Sequence, residues 1–256
     1  MKKRRWVIKV GSQVVCSGGP LLIRAWMNQV SVLRKAHNIE VIWVTSGAIA
    51  TATERTNFNG KKRTLPEKQA LSAIGQPIIM DLYNIALSVT GQLGAQVLLT
   101  AGDMKDRARR RNLVNTLEKL LEWKAVPILN ENDAIATEEI QFGDNDSLAS
   151  QVARIMKAER LVLLTDVDGL YDADPKTNPS AQLISYRKSV LKSDLERVKG
   201  YTTSLHGTGG IYSKLLAAKN ALKSGIITHL IRGDSPRGLL MIAEGQTIGT
   251  RIGGPP

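Results

Sequence analysis

The feature that most constrains this chain is an apolar run that stops at a glycine and gives way to helical spacing. Arg5-Trp-Val-Ile-Lys-Val10 ends at Gly11-Ser12, and from Pro20 onward the apolar residues Leu22, Trp26, Val30 and Leu33 recur every three or four positions. A second apolar run, Glu40-Val-Ile-Trp-Val-Thr45, closes a strand-helix-strand unit. Such a unit joins parallel strands, because the intervening helix carries the chain back to the same end of the sheet. The alternation continues with a long helical region after Pro66, a strand at Gln96 to Thr100, a helix near Ala108 to Trp123 and a strand at Val126 to Leu129. It then predicts a helix over Ser147 to Lys157, a strand over Arg160 to Leu164, a polar stretch from Thr165 to about Ser180 and a glycine turn at Gly207 to Gly210. A helix to about Ser224 follows, with strands near Ile227 to Ile231 and Leu239 to Ile242. This rhythm predicts an α/β fold, a three-layer αβα sandwich with a mostly parallel central sheet. No linker or internal repeat divides it, so one domain over residues 1–256 is expected.

Composition narrows the class. An apolar share of 43% without biased stretches fits an ordinary folded chain. The basic start Met1 to Arg5 is followed by only Trp6-Val-Ile8 before Lys9, which is too short for the apolar core of a signal peptide. No apolar run reaches the roughly 20 residues of a membrane helix, so the expectation is a cytoplasmic protein with no membrane partner. The one cysteine, Cys16, cannot make an intramolecular disulfide or a cysteine-based zinc site. The net charge of +12 gathers at Lys2 to Arg5, Lys61 to Arg63 and Arg107 to Arg111. No aromatic residues interleave with these runs to stack bases, which argues against nucleic-acid binding as the main role.

In an open parallel sheet, ligands bind beyond the carboxyl ends of the strands. Lys9 to Ser12, Thr45 to Gly47, Asn130 to Asp133, Asp144 to Asp146 and Thr165-Asp166 all fall at such ends and are expected to converge on one cleft. The turn Gly207-Thr-Gly-Gly210 before a helix carrying Lys214 suits phosphate, since glycine admits close N–H groups and a helix start favours anions. It matches neither a P-loop nor a dinucleotide fingerprint, and a plain glycine helix cap explains it equally. Lys9 within a strand would meet an anion if buried, or reach water from an edge strand. Asn130-Glu-Asn-Asp133 and Gly143-Asp-Asn-Asp146 could bind an ammonium, orient lysines or hold magnesium through water, and Asp144 or Asp146 could simply cap the next helix. His37, His206 and His229 show no metal or triad spacing.

With these stretches in hand, the whole chain resembles the amino acid kinase superfamily and, within it, the glutamate 5-kinases. The resemblance rests on Val7-Ile-Lys-Val-Gly-Ser12, Val44-Thr-Ser-Gly-Ala-Ile-Ala50, Leu129 to Thr137, Phe142-Gly-Asp-Asn-Asp146, Leu164-Thr-Asp166 with Gly169-Leu-Tyr171, and Gly207-Thr-Gly-Gly210 with Lys214. It implies transfer of the γ-phosphoryl of ATP, with Mg2+, to the side-chain carboxylate of L-glutamate, the first step of proline biosynthesis. Lys9 and Lys214 match the lysines that stabilise the transferring group, and Asp146 the carboxylate that organises them. Ser46, Gly47, Asp133 and Asn145 match substrate positions. Gly11, Thr165, Asp166, Thr208, Gly209, Gly210, Ile211, Tyr212, Ser213 and Lys214, with Lys9, match ATP positions. The resemblance also implies amino-acid binding by the N-terminal part and ATP binding from about residue 160. Proline as feedback inhibitor, a homodimer or homotetramer, and a downstream glutamyl phosphate reductase are further implications. Two stretches depart from the family pattern, Thr51-Ala-Thr53 near the substrate and Arg110-Arg-Asn-Leu113 on a surface or regulatory helix. Many members carry a C-terminal PUA domain, for which this chain has no room, so the short form or a truncation is expected. Rival readings are an acetylglutamate, aspartate or uridylate kinase, or a sensor or nucleic-acid-binding protein on the same fold.

Overall fold

Strand β1 (Arg4–Val10) occupies the middle of the sheet, buried along almost its whole length. The computed structural model describes residues 4–56, 58, 63–136, 145–199 and 210–255. After β1 come helix α1 (Ser12–Ala36), β2 (Ile39–Val44), α2 (Ala48–Thr56), α3 (Leu65–Ser88), β3 (Leu93–Leu99), α4 (Ala101–Lys105), α5 (Arg107–Glu122) and β4 (Ala125–Glu131). The second half contains α6 (Asn145–Ile155), β5 (Arg160–Thr165), β6 (Tyr186–Arg187), α7 (Lys192–Val198), α8 (Ile211–Leu222), β7 (Ile227–Arg232), α9 (Gly238–Ala243) and β8 (Thr250–Ile252). Among the described residues the strand order is β3-β4-β2-β1-β5-β7-β8-β6. The first six in that order run parallel, and β8 pairs antiparallel with β7.

The two-residue period of the central strands feeds two cores. Trp6, Ile8, Trp43 and Val162 pack with α1, α3 and α9 on one face. Val7, Ile42, Leu161 and Leu163 pack with α5, α6 and α8 on the other. The predicted three-layer sandwich is therefore the fold found, and Lys9, on the same face as Val7, lies beneath α6 and α8.

Two elements differ from expectation. The first helix starts at Ser12 rather than Pro20; backbone at Gly19 (φ 51°) kinks it just ahead of Pro20, and that Gly-Pro break hid the opening turns. Leu239 to Ile242 is helix α9, not a strand. Its short apolar run reads equally well with either period, and the helix buries Leu239, Leu240 and Ile242 on the α1 side. The last strand lies later, at Thr250–Ile252. Helix α3, 24 residues long, contains an 18-residue stretch of mean hydropathy 1.2, enough to cross a membrane by length and composition only. Half of that stretch is buried in the protein, where Ile79, Tyr83 and Leu87 contact the sheet.

Candidate active site

Lys9 is the penultimate residue of its buried strand, two positions before Gly11 turns the chain into α1. Its ammonium meets Asp146 Oδ1 at 2.6 Å, and Lys214 Nζ meets Asp146 Oδ2 at 3.3 Å. All three side chains are buried, Asp146 completely. Asp146 stands in the first turn of α6, and Lys214 in the first turn of α8. Ser213 Oγ, in the same turn, donates to Asp146 Oδ2 at 2.9 Å. One carboxylate thus fixes two cations from distant parts of the chain where two helix N-termini add positive potential. Such an array suits an anion whose charge is redistributed during reaction, as a transferring phosphoryl group's is.

Beside it lies a neutral network. Asn145 Nδ2 donates to the Thr45 carbonyl at 2.7 Å, Ser46 Oγ at 2.9 Å and Asn130 Oδ1 at 2.7 Å, so its two hydrogens are shared among three acceptors. Asn130 Nδ2 in turn donates to Gln76 Oε1 at 2.7 Å. The ends of β2 and β4 and the start of α6 are therefore tied together. Gly47 has φ 101°, a conformation that requires glycine, and its carbonyl accepts the first helical bond of α2 from Thr51 N. Asp133 lies in the turn after β4, and burial pushes its carboxyl up to about 6. A carboxylate held at that cost gains from an incoming ammonium.

Thr165 and Asp166 stand at the end of β5, with Thr165 Oγ1 donating to Asp166 Oδ1 at 3.1 Å. Gly210 precedes α8, which opens with Ile211, Tyr212 and Ser213. Gly11 lies next to the triad, since a methyl group there would sit 3.8 Å from Lys9 Nζ. Of the predicted positions, Thr208 and Gly209, with Asp144 and Gly207, lie outside the described residues. Thr51 to Thr53 fall on α2 with Ala52 fully buried, and Arg110 to Leu113 on α5 with only Leu113 buried.

The sequence reading missed Gln76 and Tyr83 on α3. Their signal was a polar residue at a core position of an otherwise apolar helix. Gln76 and Glu131 also line a cavity of about 210 Å³ between α3, β3 and the end of β4. It adjoins the amide network rather than the lysines.

Comparison with known proteins identifies the family and the fold. The model of the amino acid kinase family matches residues 4–233. Glutamate 5-kinase of Meiothermus ruber is 44% identical, over 98% of this chain and 66% of its own length. The glutamate 5-kinase of Geobacter sulfurreducens is 42% identical over 97% and 67%, and that of Hydrogenovibrio crunogenus 39% over 98% and 67%. The chain spans about two thirds of the length of these relatives. Among solved structures, isopentenyl phosphate kinase of T. acidophilum superposes with a TM-score of 0.67 at 18% identity, covering 97% of this chain and 99% of that one. UMP kinase from Ureaplasma parvum superposes with a TM-score of 0.64 at 17% identity, covering 99% and 100%. At such identities these structures speak to the fold alone. A family match over most of the chain and relatives near 40% identity show that this chain belongs to the amino acid kinase family, in its glutamate 5-kinase branch.

Proposed function

We propose that the chain transfers the γ-phosphoryl group of ATP to the side-chain carboxylate of L-glutamate, giving glutamyl 5-phosphate and ADP. The observation that carries this reading is the convergence of Lys9 and Lys214 on Asp146 beside the Ser46–Asn145 pair. A glutamate carboxylate, with a reference pKa of about 4.3, is ionised at neutral pH and attacks without a general base. One carboxylate oxygen bonds to the γ-phosphorus as the bond to the β–γ bridging oxygen breaks, and ADP leaves with that electron pair. What the protein supplies is alignment and positive charge. Lys9 and Lys214 offset the charge spreading over the γ-phosphoryl oxygens, and Asp146 holds both ammonium groups in place.

Ser46, Gly47, Asn145 and Asp133 hold glutamate, with Asp133 on its ammonium. ATP lies over Gly11, Thr165, Asp166 and the start of α8 from Gly210 to Lys214. The N-terminal part thus binds the amino acid and the part from about residue 160 the nucleotide. Among the described residues no three or more metal-ligating side chains cluster, and Asp146 is engaged with two lysines. This donor set fits magnesium held mainly by the nucleotide phosphates and water, where it would neutralise phosphate charge. Family membership further supports inhibition by proline, a homodimer or homotetramer, delivery of product to a glutamyl phosphate reductase, and a cytoplasmic setting.

The deciding experiment combines ATP, magnesium and glutamate with hydroxylamine, which traps an acyl phosphate as its hydroxamate. Glutamate-dependent hydroxamate and ADP are expected, with acetylglutamate, aspartate and UMP inactive. ADP release with one of those acceptors instead of glutamate overturns the substrate assignment.

A further inference from the structure

Trp43 and Thr45 are two residues apart at the end of β2, so both point to the face that α3 covers. Tyr83 of α3 is fully buried between them, as are Trp43 and Thr45. An indole N–H and a phenol buried this deeply need partners. Trp43 Nε1 donates to Tyr83 Oη at 2.9 Å, Tyr83 Oη and Thr45 Oγ1 are 2.9 Å apart, and Thr45 Oγ1 reaches the Ser46 carbonyl at 3.3 Å. Burial pushes the Tyr83 phenol up to about 12, so it keeps its hydrogen.

These contacts have one consistent polarity. The indole can only donate, so Tyr83 accepts from it and passes its own hydrogen to Thr45 Oγ1. The Thr45 hydroxyl then donates to the Ser46 carbonyl, an acceptor only. We infer that the Trp43–Tyr83–Thr45 chain is a positioning device for the phosphoryl acceptor, setting the direction of the Ser46–Gly47 peptide from within the core.

The reasoning is geometric. In a trans peptide the carbonyl and the next N–H point in opposite directions. With the Ser46 carbonyl held back by Thr45, the Gly47 N–H is aimed away from that hydroxyl, together with the first N–H groups of α2, which have no helical acceptor. The other side of the same segment is held by Asn145, which donates to the Thr45 carbonyl and the Ser46 hydroxyl. The acceptor loop is therefore clamped between a core relay and the start of α6. Trp43, Tyr83 and Thr45 act through Ser46 and Gly47, so the inference rests on the reading that those residues meet the acceptor carboxylate.

Tyr83→Phe and Thr45→Val each remove one hydroxyl with little change of shape. Each is expected to lower kcat/KM for glutamate about tenfold, mostly through KM, with KM for ATP within about twofold. Thr45→Ser keeps the hydroxyl and should retain at least half of wild-type kcat/KM. The double variant Tyr83→Phe/Thr45→Val should be no worse than the poorer single one, because both interrupt one chain. A Tyr83→Phe enzyme that melts at lower temperature but keeps wild-type KM for glutamate would show a purely structural role and overturn the inference. Should Tyr83→Phe fail to fold, equal KM values for Thr45→Val and Thr45→Ser overturn it. Wild-type turnover of a different acceptor would sink the glutamate assignment while leaving the relay to be read from that acceptor's KM. Turnover of no acceptor at all would overturn both.

Discussion

Arg5 and Lys9 lie four residues apart on one strand, face the same side and are both buried, yet they sit in opposite surroundings. At the start of β1, all five N–H donors of Arg5 find acceptors in Glu40, Glu118 and the Met156 carbonyl, at 2.6 to 3.0 Å. At the other end, Lys9 and Lys214 both meet the carboxylate of Asp146. Helix α6 runs between the two sites. Its N-terminus carries Asp146, and the carbonyl just beyond its C-terminus accepts from Arg5. The guanidinium fork closes a fixed set of partners, whereas two ammonium groups converging beside helix starts suit, on the proposed function, an anion that comes and goes. Buried charge alone therefore does not mark an active site; donor geometry and the end of the sheet do.

The sharpest way to break this comparison is to remove each cation. Lys9→Ala should lower kcat about 10²- to 10³-fold while KM for glutamate moves little, since its charge acts mainly on the transition state. Steady-state kinetics on folded protein checks this, and an unchanged kcat would remove Lys9 from the chemistry. Arg5→Met should do the reverse. It leaves two carboxylates facing a buried side chain, at a cost of about 2–3 kcal/mol, discounted because Glu118 is 43% exposed. Urea unfolding should show that loss, with kcat of the folded enzyme near wild type. A kcat loss as large as that of Lys9→Ala would erase the distinction between the two ends.

A smaller effect tests how tightly the substrate side is built. A methyl group on Gly75 of α3 would stand 1.8 Å from the Ala48 carbonyl at the start of α2. Gly75→Ala must therefore push α2 outward, at about 1–3 kcal/mol of stability, and carry Ser46 and Gly47 with it. Calorimetric melting together with KM for glutamate should register both changes. Displacement without a change in KM would separate α2 from acceptor binding.

Much of the site was legible because parallel sheets place their ligands at strand ends, and glycine with polar residues after apolar runs marks those ends. Lys9, Ser46, Asn130 and Thr165 stand at or just past such ends, as the pattern predicts, whereas Asn145, expected at a strand end, opens α6 instead. Asp146 was harder to read from pattern alone, since an acidic residue at a helix start is equally a cap, and only its meeting with two buried lysines separates the readings. Gln76 and Tyr83 could not be placed by local pattern. Their significance depends on α3 lying across the ends of β2 and β4, a long-range fact. The misread run at Leu239 to Ile242 shows the same limit: four apolar residues carry no period, and packing against α1 decided for helix.

The smallest predicted effect concerns pH and separates the lysine triad from the substrate side. Burial raises the Asp133 carboxyl from 3.8 to about 6, so the folded protein holds that proton more tightly than the unfolded chain does. Its contribution to stability is complete below pH 3.8 and is lost as pH rises through about 6. At neutral pH the carboxylate stands charged and poorly solvated, which an ammonium substrate relieves. Below about pH 6 glutamate must compete with a proton for Asp133, and KM should rise about tenfold per pH unit. The glutamate side-chain carboxylate, with its reference pKa of about 4.3, stays ionised through most of this range and does not mask the effect. Measured between pH 5 and 8, wild-type KM should bend near pH 6 while kcat stays comparatively flat. Asp133→Asn should show a raised KM with no bend, because the titrating group is gone. A bend that survives in Asp133→Asn would assign the proton to another group and remove Asp133 from ammonium recognition.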